Sequence, residues 1–250
     1  MSMTRTALLA AAAAAAQNCS RVVRVGTFDQ ATPYALAPAT RWLDDAPGAC
    51  FAYYRQPSGA RALELLGRGD LDLAFMGSMP WSNAVARGAG VTAVSVLMDI
   101  RQSEGLVTCL NVRRLQDLRK KTLVAPYAST THYILLATIM EAGIDINDVN
   151  VKTAEPHEIM RLWDAGEIDG AACWGECFVH LQTTPHGMQK TPGHLLVDAG
   201  TVARWGYRTF DALVANDAFL AAEPGLVSRA VSAFGRGVPR GNQFSSVSAR

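Results

Sequence analysis

Beyond its first twenty residues the chain has no apolar run long enough to cross a bilayer as a helix. Neither sign of charge dominates: 23 basic and 22 acidic residues leave a net charge of +1. A nucleic-acid binder would show a basic excess or patch, so that class is set aside. The five cysteines (Cys19, Cys50, Cys109, Cys173, Cys177) are odd in number and scattered. They make no disulfide framework, and no pair has C-x-x-C spacing. Cys173 and Cys177 would share a face if both lay on one helix, but two small buried apolar residues is the plainer reading. The five histidines (132, 157, 180, 186 and 194) show no H-E-x-x-H or comparable ligand spacing, so no metal is expected. There is no G-x-S-x-G elbow, Walker loop or G-x-G-x-x-G, and no evident nucleophile, base and orienter. Nothing in these residues demands catalysis or a cofactor.

What is present begins with a basic start at Arg5, an almost wholly apolar run from Ala7 to Ala16, and small polar residues to Ser20. That order fits a secretory signal peptide over residues 1–20 and an exported, periplasmic or secreted protein. An alanine run is also a good helix former, and an organelle transit peptide has a related composition. The remainder is long enough for one large domain or two small ones. With 49% hydrophobic residues, it can bury a core.

One phrase occurs twice. Arg68-Gly69-Asp70-Leu71-Asp72-Leu73-Ala74 is echoed by Ala165-Gly166-Glu167-Ile168-Asp169-Gly170-Ala171. Each copy follows a helical run, with Leu63 and Leu66 in the first and Ile159, Leu162 and Trp163 in the second. Each helix follows a strand-like run, Cys50–Tyr54 and Val149–Thr153. Gly-Asp after a helix is ordinary capping and turn chemistry, yet here the flanking elements repeat too. Two similar α/β lobes are therefore expected, with a ligand cleft between them. Further strands are expected at Val22–Thr27, Leu71–Met76, Val91–Leu97, Thr122–Ala125 and Ile168–Cys173. Leu195–Asp198 and Phe210–Ala215 read as strands returning to the first lobe. Helices are expected from Thr32-Pro33, over Ser58–Gly67 and Pro80–Arg87, from Ser129 to Ala142, and over Pro156–Ala165. Tyr133, Leu136, Ala137 and Met140 share one face of the fourth of these. Gly235–Arg250, rich in Gly, Ser and Arg, reads as a disordered tail.

In open α/β sheets, ligands bind outside the carboxyl ends of the strands. Ser129-Thr130-Thr131-His132 opens a helix after such an end. Hydroxyls beside unpaired N–H groups at the positive end of the helix dipole suit an oxyanion. A single N-cap would account for only one of these residues, and His132 either donates to the anion or packs. In Trp205-Gly206-Tyr207-Arg208-Thr209-Phe210-Asp211, an acid near tryptophan suits an ammonium group through charge and cation–π contact. A core Trp and a turn Asp read equally well there. Glu104 is either a second carboxylate for a cation or a hinge residue facing water.

The run Pro126–Tyr133 with Leu135-Leu136-Ala137, the run Gly166–Ala171 with Trp174, and Trp205-Gly206 with Thr209-Phe210-Asp211-Ala212 resemble the taurine-binding periplasmic proteins. These belong to the substrate-binding components of ABC importers for alkylsulfonates, nitrate and thiamine precursors. The resemblance covers about Val22 to Phe234. It implies an α/β, two-lobed periplasmic-binding-protein type II fold with parallel-rich sheets and the ligand in the inter-lobe cleft. It assigns residues 21–107 plus 197–234 to the first lobe and 108–196 to the second. It implies ligand contacts at Phe28, Ser78, Glu104, Ser129, Thr130, Thr131, His132, Trp174, Trp205 and Asp211. The implied protein is a monomeric, non-enzymatic receptor that captures taurine or a related sulfonate, needs no cofactor, and delivers its ligand to an ABC permease at a membrane. The sequence departs from the family pattern in three places. Glu176-Cys177 follows Trp174-Gly175 where relatives have Pro soon after Trp. Phe28 replaces a polar residue, and the family's further helices do not follow Phe234. Two alternatives stand beside this reading. One is a pyrimidine-synthase-like enzyme of thiamine biosynthesis, with Cys173 and Cys177 as an echo of its cysteine-rich segment. The other is a truncated, non-functional binding protein.

Overall fold

A computed structural model of the chain describes residues 21–28, 49–189 and 191–237. The expected signal peptide, the helix from Thr32-Pro33 and the tail beyond Gly237 lie outside the described residues. The chain divides into two compact units. The first runs up to Asp99 and resumes at Phe210, and the second is Ile100–Thr209.

The first unit holds strands β1 (Val22–Phe28), β2 (Cys50–Gln56), β3 (Leu73–Gly77), β4 (Val91–Asp99) and, from late in the chain, β10 (Phe210–Asn216). Its helices are α1 (Gly59–Gly67), α2 (Ser78–Ala86), α7 (Asp217–Ala222) and α8 (Pro224–Gly237). The strand order is β2-β1-β3-β10-β4. Strands β1, β2 and β3 pair in parallel, and β10 runs antiparallel to both β3 and β4. Val23, Val25, Leu66, Leu73, Phe75 and Leu213 fill its core, and α8 adds Leu226, Ala230 and Phe234. The helix α8 extends to Gly237, so the expected tail starts later than Gly235.

The second unit holds β5 (Glu104–Thr108), β6 (Thr122–Ala125), β7 (Asn150–Thr153), β8 (Gly170–Trp174) and β9 (His194–Asp198). Its helices are α3 (Thr130–Glu141), α4 (Pro156–Asp164), α5 (Gly175–Thr183) and α6 (Ala199–Arg204). Its order is β7-β6-β8-β5-β9, with β6, β7 and β8 parallel and β5 antiparallel to β8 and β9. The second sheet thus repeats the first strand for strand. Each sheet is mixed but parallel-rich: a parallel trio is extended by one antiparallel strand and then by an edge strand that runs the same way as the trio. Those additions also shift the lobe boundaries. Strands β5 and β9 pair with each other, and β5 pairs with β8. Residues 100–107 and 197–209 therefore belong to the second unit, and Leu195–Asp198 does not return to the first.

The repeated phrase does the same work in both units. Helices α1 and α4 end on Gly69 and Gly166 at φ of 72° and 70°, the left-handed conformation that glycine adopts without a Cβ penalty. Gly69 N donates to Leu66 O and Asp70 N to Leu65 O. Gly166 N donates to Trp163 O and Glu167 N to Leu162 O. This double bond closes the exposed carbonyls of each helix end. The aspartate that follows then locks the next strand to its neighbour. Asp72 Oδ2 accepts from Arg24 N of β1 at 2.8 Å, and Asp169 Oδ2 accepts from Thr122 N of β6 at 2.9 Å. In return, Asp72 N donates to Arg24 O and Asp169 N to Thr122 O. Each carboxylate also meets a basic side chain, Arg24 in the first unit and Lys121 in the second.

The apolar face expected on α3 is reversed in part. Ile134, Leu135 and Ile139 are buried, while Leu136 and Met140 are exposed. The helix is apolar nearly all round, so periodicity could not select its inner side.

Candidate functional site

In the second unit, β6 ends at Ala125 and the chain turns through Pro126-Tyr127-Ala128 into α3. Ala128 has φ of 54°, which is costly for a residue with a Cβ. This turn directs Ala128 N–H to Nδ1 of His132 at 3.3 Å. His132 Nδ1 is thereby an acceptor, which assigns the ring proton to Nε2. Burial lowers the pKa of His132 and favours the neutral ring.

Ser129 caps α3: its Oγ accepts from His132 N at 3.0 Å. The same Oγ donates to Pro126 O at 2.6 Å and lies 2.9 Å from Thr131 Oγ1. A hydroxyl has one proton, so Thr131 is the donor in that last bond. Both protons are consumed inside the turn. Ser129 and Thr131 therefore shape the helix start rather than offering hydroxyl protons to an anion. What remains is Thr130 Oγ1, which makes no hydrogen bond among the described residues, together with His132 Nε2–H and the first-turn backbone N–H groups. The expected cluster of four is brought together, but its donors are fewer than the four residue types implied.

Glu104 opens β5 and is the cross-strand partner of Trp174, the last residue of β8. Partners in register stand side by side on one face of a sheet. Glu104 is 2% exposed and Trp174 is 8% exposed. A carboxylate beside an aromatic face suits an ammonium ion. Glu176 is exposed in the first turn of α5, where its charge favours the helix dipole. Cys173 lies on β8 and Cys177 on α5, so they do not share a helix. Both are free and buried. Burial pushes the Cys173 thiol up, and the neighbouring Cys177 adds to this.

The first unit carries a corresponding arrangement. Asp211, on β10, is the cross-strand partner of Gly77, the last residue of β3. It is 2% exposed. In the repeated topology β10 corresponds to β5 and β3 to β8. Asp211 and Glu104 are thus equivalent: two buried carboxylates, each opposite the end of the third parallel strand. Ser78 follows Gly77 as the first residue of α2, and its Oγ accepts from Phe210 N at 3.3 Å. Phe28 ends β1 opposite Gln56 of β2. Trp205, which the sequence grouped with Asp211, ends α6 in the second unit and packs with Tyr207 against Ile100, Ile134 and Val202. Trp205 thus belongs to the second unit and Asp211 to the first.

Trp81 escaped the sequence reading. It lies one turn into α2, with its ring 6.4 Å from that of Phe210. Its indole Nε1 is buried and has no hydrogen-bond partner among the described residues. Its position one turn after Ser78 was the available signal. Among the described residues, no group of three or more His, Cys, Asp or Glu could hold a metal ion.

The family model described as "NMT1/THI5 like" matches residues 48–240. The chain is 30% identical over 225 residues to the taurine-binding periplasmic protein of Escherichia coli (strain K12), covering 90% of this chain and 68% of the relative. Its fold is that of type II periplasmic binding proteins. The alkanesulfonate-binding protein SsuA from Xanthomonas axonopodis pv. citri, solved bound to MOPS, matches with a TM-score of 0.75 at 20% identity, over 86% of this chain and 72% of the other. The aliphatic sulphonate binding protein SsuA from Escherichia coli matches with a TM-score of 0.73 at 20% identity, over 87% and 72%.

Proposed function

We propose that this chain, which belongs to the NMT1/THI5-like family, is a solute-binding protein that captures taurine or a closely related aminosulfonate for an ABC-type importer. The observation that carries the reading is Asp211, a carboxylate buried to 2% exposure beside the carboxyl end of β3. Ligands of open α/β sheets gather at that end. A carboxylate there favours a ligand with a cationic group over a plain alkylsulfonate or nitrate. The sulfonate is received at the start of α3, by Thr130 Oγ1, His132 Nε2–H and backbone N–H groups. Glu104 beside Trp174 is the second acidic position. Phe28, Ser78 and Trp205 complete the set, with Ser129 and Thr131 as positioning residues. The similarity to a taurine-binding protein over 90% of the chain supports the same ligand class.

In this reading the protein is exported, acts as a monomer, and carries out no reaction on its ligand. Delivery falls to a separate permease; no helix among the described residues is long and apolar enough to cross a membrane. The high pKa and burial of Cys173 make it a poor nucleophile, which weighs against the cysteine-dependent synthase alternative.

Isothermal titration of the exported chain with taurine, ethanesulfonate and nitrate tests the reading. Taurine should bind most tightly, and Asp211→Asn should weaken it by about 10- to 100-fold, the value of a charge-assisted hydrogen bond. Equal binding of ethanesulfonate and taurine would remove the ammonium site from the account.

A further inference from the structure

Resting on the reading of the chain as an exported protein, we infer that the mature protein keeps Cys19 and joins it to Cys50 in a disulfide, so that the signal peptide is cleaved before Cys19. Cys50 opens β2 and is disulfide-bonded, whereas Cys109, Cys173 and Cys177 are free and buried. The chain has five cysteines, so Cys19, which lies outside the described residues, is the one left to be the partner. The reach is short. Val22 is the parallel partner of Cys50, and Arg21 O accepts from Cys50 N at 2.8 Å. Cys19 is two residues before Arg21, a span of at most about 7 Å, and a disulfide needs Cα atoms roughly 4.4–6.8 Å apart. Arg21 is itself held on the first unit, with its guanidinium 4.0 Å from Asp72 and 5.5 Å from the centroid of the Phe219 ring. Contacts of that unit therefore start ahead of β1. The sequence supplies a cleavage site on the right side of Cys19. Ala14-Ala15-Ala16 closes the apolar run in the A-x-A pattern, and cleavage after Ala16 begins the mature chain at Gln17. The signal peptide then ends at Ala16 rather than at Ser20. In the bond-forming step two S–H bonds break and one S–S bond forms. The protons go to solvent, and the two electrons reduce the disulfide of a thiol–disulfide oxidant protein in the oxidising compartment to a dithiol. The new bond closes the loop between residues 19 and 50 and ties the start of β1 to β2, an edge strand of its sheet.

The full chain, expressed with its own N-terminus in a bacterial host and recovered from the periplasm, tests this by peptide mass mapping without reduction. The expected result is a chain beginning at Gln17, with the Cys19 and Cys50 peptides released as one linked species that parts on reduction. Iodoacetamide applied to the unfolded, unreduced protein should label Cys109, Cys173 and Cys177 and spare the other two. Cys19→Ser and Cys50→Ser should each lower the melting temperature by about 5–10 °C. The double variant should fall no further than either alone, because all three lose the same bond. A mature chain that begins after Cys19, or one in which Cys19 and Cys50 are alkylated without reduction, overturns the inference and leaves the proposed function standing. A chain that stays unprocessed in the cytoplasm overturns the export on which that function depends, and the disulfide falls with it.

Discussion

Asp72 and Asp169 occupy the same place in the repeat but should differ in what they are worth. Asp72 is 3% exposed. Its carboxylate accepts Arg24 N at 2.8 Å, Arg24 Nε at 2.9 Å and Arg24 Nη2 at 2.7 Å. The pair also raises the pKa of Arg24. Asp72→Ala leaves the guanidinium and one strand N–H without their acceptor. Breaking a buried pair costs about 3–5 kcal/mol, and the partial exposure of Arg24 places this one near about 3 kcal/mol. Asp169 keeps the backbone bond from Thr122 N, but its pair with Lys121 is longer, at 3.3 Å, and both side chains are about a quarter to a third exposed. Its ion pair is worth little, so Asp169→Ala should cost only about 1 kcal/mol, mostly the strand hydrogen bond. At about 2–4 °C per kcal/mol for a chain of this size, the melting temperature should fall by about 6–12 °C for the first variant and about 2–4 °C for the second. Urea titrations followed by circular dichroism give the free energies directly. Equal losses, or a larger loss at Asp169, would refute the claim that burial sets the value of this shared lock.

Two further outcomes follow from single residues. His132 has a lowered pKa in the folded state, so the unfolded chain takes up its proton first as pH falls below about 6.5. Its contribution is complete above that pH and is lost as pH falls through the folded value. The stability advantage of wild type over His132→Gln should therefore shrink between pH 7 and pH 5, and an advantage constant over that range would disprove that burial keeps the ring neutral. Gly193→Ala would place a Cβ 2.5 Å from Val107 Cγ1, 2.6 Å from Leu181 O and 2.8 Å from Trp163. Its cost should reach about 3 kcal/mol in chemical denaturation, the upper end for overpacking, because one of the obstacles is backbone.

Much of the local structure was legible in the residues. Ser58 and Ser129 cap their helices, Pro156 opens one, and Gly69 and Gly166 close two, because these effects act within a turn of chain. The duplicated Gly-acid-apolar-Asp phrase announced two similar units for the same reason. Each copy ends a helix and starts a strand using groups a few residues apart.

Contacts across many residues were decided only by the tertiary structure. Strands β5 and β9 are far apart in sequence, and their pairing moved both lobe boundaries. The topology makes Glu104 the counterpart of Asp211 and the neighbour of Trp174, a relation that no spacing encodes. At the start of α3, the residue types promised a row of hydroxyl donors, but two of the protons are spent within the turn. Residue type gives the number of donors a segment owns. Where each donor points, and whether it is already used, depends on backbone geometry such as the left-handed Ala128. The same reason kept Trp81 out of the sequence reading: a buried N–H with no partner among the described residues exists only once the chain has folded around it.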